Sequence, residues 1–137
     1  MTSSLPAARP PAALLVRAVY WSTPLFVALD FIYGVSLRIP FLDAMPGVKL
    51  MYYGAELACA VAIAARPQWT AAIGLTESTA NIALLIVSTW AAYLSVLESA
   101  GSPDLVIVNP FTPQAVASLA ISALALAASH VLRTTAS

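Results

Sequence analysis

The chain is 137 residues long, 61% hydrophobic and 9% charged, and its six basic and six acidic side chains cancel. A soluble domain carries roughly a quarter charged residues. The charge here is too sparse to cover a water-facing surface, and the mean hydropathy of +0.88 points to a one-domain integral membrane protein whose surface meets the lipid bilayer. Zero net charge leaves no basic face for nucleic acid, and the single cysteine, Cys59, excludes an internal disulfide framework.

Residues 1–12, MTSSLPAARPPA, are polar and proline-rich and read as a disordered tail. The apolar run that follows is interrupted by Arg17, Pro24 and Asp30, which speaks against a cleaved signal peptide. A first membrane helix fits residues 13–37. Between Arg17 and Arg38 lie 20 residues with one charge, enough to cross a hydrocarbon core of about 30 Å. Pro24 predicts a kink inside this span. The segment RIPFLDAMPG then breaks the helix.

A second helix fits residues 48–65 and stops at Arg66-Pro67. Trp69 opens a third helix over 69–98, long enough to require tilt or protrusion. The turn between them is so short that helices two and three form an antiparallel hairpin. Gly101 fits the third helix's C-terminal stop. Loop three, Ser99 to Phe111, contains the apolar segment DLVIVNPF. Thr112-Pro113 is an N-cap followed by a first-turn proline, and a fourth helix runs 113–133 before a tail at 134–137. The fold expected is an all-α, integral membrane four-helix bundle with short loops. Arg9, Arg17, Arg66 and Arg133 fall on one side and Arg38 and Lys49 on the other, which places both termini in the cytoplasm. The expected location is a bacterial cytoplasmic (inner) membrane.

Ionisable residues inside the spans carry the functional signal. Asp30, Glu56 and Glu77, with Asn81, form the candidate intramembrane polar site, because charge facing lipid costs several kcal/mol. Counted from the span centres, Asp30 lies roughly 7 Å outward, Glu56 near the midplane and Glu77 roughly 9 Å inward. The acids are staggered and do not form a ring.

Helical spacing supplies partners. Lys49, Tyr52, Tyr53 and Glu56 share a stripe on helix two, and Tyr33 follows Asp30 at i+3. Gly74, Glu77, Asn81, Ser88 and Ser95 trace a polar or small stripe on helix three. Ser118, Ser122, Ala125 and Ser129 form a small-residue packing face on helix four. Arg17 lies at the depth of Glu77 and is its expected partner. Lys49 can reach towards Asp30, and Tyr33, Tyr52 or Tyr53 can donate to Asp30 or Glu56. Static pairing of this kind is weighed slightly ahead of a path for protons or a cation.

No catalytic motif, metal-ligand spacing or cofactor fingerprint is present. His130, the only histidine, sits in the last turn of helix four, where it suits the helix dipole. No catalytic residue, metal or cofactor is assigned, and the balance is against an enzyme. The leading expectation is a non-catalytic or accessory subunit of a larger membrane assembly, its partners other membrane subunits or copies of itself. One alternative is a proton or small-cation transporter using the intramembrane carboxylates. Another is a site for a lipid-soluble ligand lined by Tyr52, Tyr53, Trp90 and Tyr93.

Overall fold

A computed structural model describes residues 11–99 and 111–135. The N-terminal tail up to residue 10, Gly101, nearly all of loop three and the last two residues lie outside the described residues. Those described are helical and irregular, with no strand among them. Four helices are long and apolar enough to cross a membrane: Pro11–Tyr33, Pro46–Ala65, Pro67–Glu98 and Pro113–Thr135.

The first span is two helices, α1 (Pro11–Trp21) and α2 (Thr23–Tyr33). It begins before residue 13 and ends four residues short of the expected 37. Pro24 is the cause of the break. Its missing N–H leaves the Tyr20 carbonyl without the usual i+4 donor, and the Thr23 hydroxyl donates to that carbonyl at 2.7 Å instead. Ser22 Oγ likewise donates to the Val19 carbonyl at 2.7 Å. The early end has an equally local cause. Gly34 takes the left-handed conformation, φ 66°, and its N–H and that of Val35 donate to the carbonyls of Asp30 and Leu29. The Gly34 bond to Asp30 is that of an αL stop, and glycine adopts it without a Cβ penalty.

The segment after Gly34 is not a surface loop throughout. Ser36, Arg38 and Ile39 are buried, and the Ser118 hydroxyl donates to the Arg38 carbonyl. Buried irregular backbone needs partners for its polar groups, and the Ser118 hydroxyl is one of them. A short 3-10 turn, Pro40–Leu42, leads out to α3 (Pro46–Ala65). Pro67 ends α3, since the residue before a proline avoids helical geometry, and Arg66 has φ −135°. The Arg66 guanidinium lies 5.7 Å from the centre of the Trp69 ring, within cation–π range.

Helix α4 (Thr70–Ser99) packs chiefly on α5 (Pro113–Thr135), and α1 packs on both α5 and α3. At 30 residues, α4 is about 45 Å long. No residue of it from Ile86 to Glu98 is buried, so the polar stripe read from the sequence does not continue inward-facing to Ser95, which is exposed. Thr112 Oγ1 caps α5 by accepting from the Ala115 N–H at 3.1 Å. An apolar core of Val16, Tyr20, Ala60, Ile63 and Ala128 ties α1, α3 and α5 together, with Cys59 beside it.

Ser118, Ser122, Ala125 and Ser129 are each fully buried. The tightest approach is at Gly74, where an added Cβ would collide with Ser129 Oγ and press on Ser129 Cβ at 3.1 Å and Val16 Cγ1 at 3.3 Å. Gly74→Ala is therefore expected to destabilise the bundle by about 1–3 kcal/mol, measured by detergent-titrated unfolding. Removing Oγ with Ser129→Ala in the same chain should recover only part, because the Val16 contact remains.

Candidate functional site: two buried ionic centres

The first centre is built around Arg38, which is 1% exposed. Its Nε donates to Glu56 Oε1 at 2.6 Å and its Nη2 to Glu77 Oε2 at 2.9 Å. Glu77 also accepts from Tyr20 Oη at 3.0 Å and from Tyr52 Oη at 2.5 Å. Glu56 Oε2 meets Thr23 Oγ1 at 3.3 Å. Every span except the fourth thus contributes a side chain, and α5 holds the Arg38 backbone through Ser118. Desolvation works against the guanidinium charge, but Glu56 and Glu77 outweigh it and hold the Arg38 pKa above its ordinary value. Hydrogen bonds to charged groups contribute about 1.5–3 kcal/mol each. Tyr52→Phe should lower stability by an amount in that range, read from the unfolding midpoint in detergent.

The second centre joins α2, α3 and the first loop. Lys49 Nζ donates to Asp30 Oδ1 at 2.7 Å and to Asp43 Oδ1 at 2.6 Å, and Tyr53 Oη donates to Asp30 Oδ2 at 2.8 Å. Asp30 and Lys49 are buried, whereas the Asp43 side chain is 60% exposed. The two centres are linked along α3. Lys49, Tyr53 and Glu56 are buried at i, i+4 and i+7, one helical face.

Several of the pairings expected from helical spacing and depth differ in the folded chain. Arg17 does not pair with Glu77. Its Nη2 reaches the Ile63 carbonyl at 3.3 Å, while Arg38 occupies the place beside Glu77. Arg38 is thus an interior residue and not an outer-loop charge. Tyr33 points away from the polar groups and is 71% exposed, because α2 packs only against α1 and α3. Tyr33→Ala should move stability by no more than about 0.5 kcal/mol, measured in the same unfolding assay. Asn81 is buried but bonds Ser122 Oγ at 2.7 Å, not an acid.

Three members of the first centre carry no individual signal in the spacing of the acids and their expected partners: Arg38, Tyr20 and Thr23. Val16, Tyr20 and Thr23 recur at i, i+4 and i+7, a stripe that marks one inward face and that includes the latter two. Arg38 has no such local pattern.

The four aromatics expected around a lipid-soluble ligand do not line one pocket. Tyr52 and Tyr53 serve different ionic centres. Trp90 instead lines a lateral groove of about 250 Å³ between α4 and α5, with Leu85, Ile86, Thr89, Phe111, Ala115, Val116 and Leu119. Among the described residues no three His, Cys, Asp or Glu side chains gather as metal ligands would, and His130 is exposed on α5. No family model, curated protein or solved structure matches this chain.

Proposed function

We propose that this chain is an integral membrane protein of a bacterial cytoplasmic membrane, with both termini on the cytoplasmic side, that passes protons or small cations through its bundle. One observation carries the reading. Ionisable groups follow one another from exposed Asp43 through Lys49 and Asp30 to Tyr53 and then, one turn along the same face of α3, from Glu56 through Arg38 to Glu77 in the interior. Ionisable side chains inside a membrane are costly, and they mark proton and ion paths. Apolar packing would hold four helices together at lower electrostatic cost.

Further polar atoms flank Glu77 along α4 and α5. Among the described residues Ser78 Oγ, Asn81 Oδ1 and Ser129 Oγ are buried without a hydrogen-bond partner. Buried atoms of this kind recruit ordered water, and water is the usual continuation of a proton path between side chains.

The test is purified protein in proteoliposomes with a trapped pH dye and an imposed potassium-diffusion potential. The parent should acidify or alkalinise the lumen according to the sign of the potential, and Glu56→Gln should cut the rate at least about tenfold, the scale of removing an essential proton carrier. No potential-driven flux in the parent, whether of protons, sodium or potassium, would overturn the reading.

The α4–α5 groove supports a second reading, an accessory subunit that seats a transmembrane helix of another membrane protein. Its lining is apolar, and Trp90 and Phe111 on its rim are exposed. Native mass in mild detergent tests it. A defined hetero-complex supports it, and a monomer or a homo-oligomer counts against it.

A further inference from the structure

The first centre sets two carboxylates against one guanidinium. The far amino group, Arg38 Nη1, is buried without an acceptor among the described residues, and the carboxylates that meet the arginine there are Glu56 and Glu77. With both acids ionised the interior would hold one uncompensated negative charge, and a pair of close carboxylates in that situation shares a proton.

Counting hydrogens decides which acid holds it. Glu77 receives three: Arg38 Nη2–H and Tyr20 O–H at Oε2, and Tyr52 O–H at Oε1. Its two oxygens are engaged as acceptors, the pattern of an ionised carboxylate. Glu56 Oε1 receives Arg38 Nε–H. Among the described residues its other oxygen, Oε2, meets Thr23 Oγ1 alone, at 3.3 Å. The single Thr23 hydrogen is already committed to the Tyr20 carbonyl at 2.7 Å, since a carbonyl cannot donate and Pro24 has left it without its helical donor. The Glu56–Thr23 contact therefore lacks a hydrogen unless Glu56 supplies one.

We propose that Glu56 is the proton-binding residue of the bundle: its Oε2–H donates to Thr23 Oγ1, which donates to the Tyr20 carbonyl, while Arg38 and Glu77 form the permanent ion pair. The assignment deepens the proton-handling reading and rests on it for its functional meaning. The titratable and charged groups around Glu56 are Arg38 from the first loop, Glu77 from α4, and Tyr52, Tyr53 and Cys59 from its own helix. Tyr20 of α1 is bound to Glu77, Asp30 of α2 is bound to Lys49 and Tyr53, and α5 does not pack directly against α3. The break at Pro24 acquires a role in this arrangement. It frees the carbonyl that orients Thr23, and Thr23 in turn presents a lone pair to Glu56.

Infrared spectroscopy of the full chain in lipid nanodiscs tests the assignment. The parent should show a protonated-carboxyl C=O stretch that shifts to lower frequency in D2O. The band should be lost in Glu56→Gln and kept in Asp30→Asn. Thr23→Val should move it to higher frequency, because the acid loses its acceptor, while Tyr52→Phe leaves it in place. A band that moves in Tyr52→Phe and not in Thr23→Val would assign the proton to Glu77 and overturn the proposal, as would absence of any such band in the parent. Thr23→Val and Tyr52→Phe remove one oxygen each and are compared only as monodisperse protein. Proteoliposome flux on the same samples separates the two ideas. A Glu56 band without flux sinks the transport reading alone, and flux without the band sinks the assignment alone.

Discussion

Arg38→Met should cost about 3–5 kcal/mol of stability, the range for removing one partner of a buried ion pair, and so should be among the most damaging single changes in the chain. The guanidinium presents two N–H groups from one edge, Nε to Glu56 and Nη2 to Glu77. Methionine fills a similar volume but leaves Glu77 as an ionised carboxylate in the interior, held only by Tyr20 and Tyr52. Arg38→Lys should fall between parent and Arg38→Met, because an ammonium is a point charge and cannot present a rigid fork to two acids.

The same argument predicts a rescue. Arg38→Met combined with Glu77→Gln removes the orphaned charge and should recover a large part of the loss, even though it deletes another native group. Unfolding midpoints of the three variants in mixed detergent micelles check the series. An Arg38→Met protein as stable as the parent would mean that the guanidinium does not sit between the two acids.

Arg38 also marks where reading the chain residue by residue stops. The four apolar spans are evident from hydropathy and length, because a run of about twenty apolar residues is a local property. The turn chemistry is local too, as at Arg66-Pro67 and Thr112-Pro113. The burial of Arg38 is not local. It lies next to the helix-breaking IPF segment, where an arginine ordinarily counts as a loop charge, and the residues that draw it inward are 18 and 39 positions away. The Gly34 stop makes this possible, since it ends α2 early enough for the chain to turn back into the bundle before Arg38.

Depth counting fails for a related reason. It places Arg17 beside Glu77 because it treats the first span as one straight rod. Pro24 splits that rod into α1 and α2, and the contacts of one piece do not fix those of the other. On α1, Tyr20 rather than Arg17 meets Glu77. On α2, Asp30 faces Lys49 while Tyr33, one turn later, faces outward. The stripe on α3 is a better guide because α3 is uninterrupted. Its 3.6-residue period runs unbroken from Lys49 to Glu56, and the buried positions follow it.

Lys49→Met is the second large expected effect, again about 3–5 kcal/mol by the same mechanism, and it separates the worth of two ion pairs made by one side chain. Lys49 Nζ lies at nearly equal distances from Asp30 and Asp43, 2.7 and 2.6 Å, so distance alone would rank the two bonds alike. Their surroundings differ. Asp30 is buried, and without Lys49 its carboxylate retains only the Tyr53 hydroxyl. Asp43 is largely exposed, and water replaces what it loses. Asp43→Asn should therefore cost no more than about 1 kcal/mol, as exposed ion pairs do, and that small loss should shrink further in high salt. The Lys49→Met loss should respond to salt only by the small Asp43 share, because the Asp30 pair it also breaks is buried. Detergent-titrated unfolding at low and high salt reads both. If Asp43→Asn proves as costly as Lys49→Met, the lysine is held mainly from the surface, and the Asp30 pair contributes little to fixing α2 against α3. The succession of groups from Asp43 to Glu56 would then lose its first interior step.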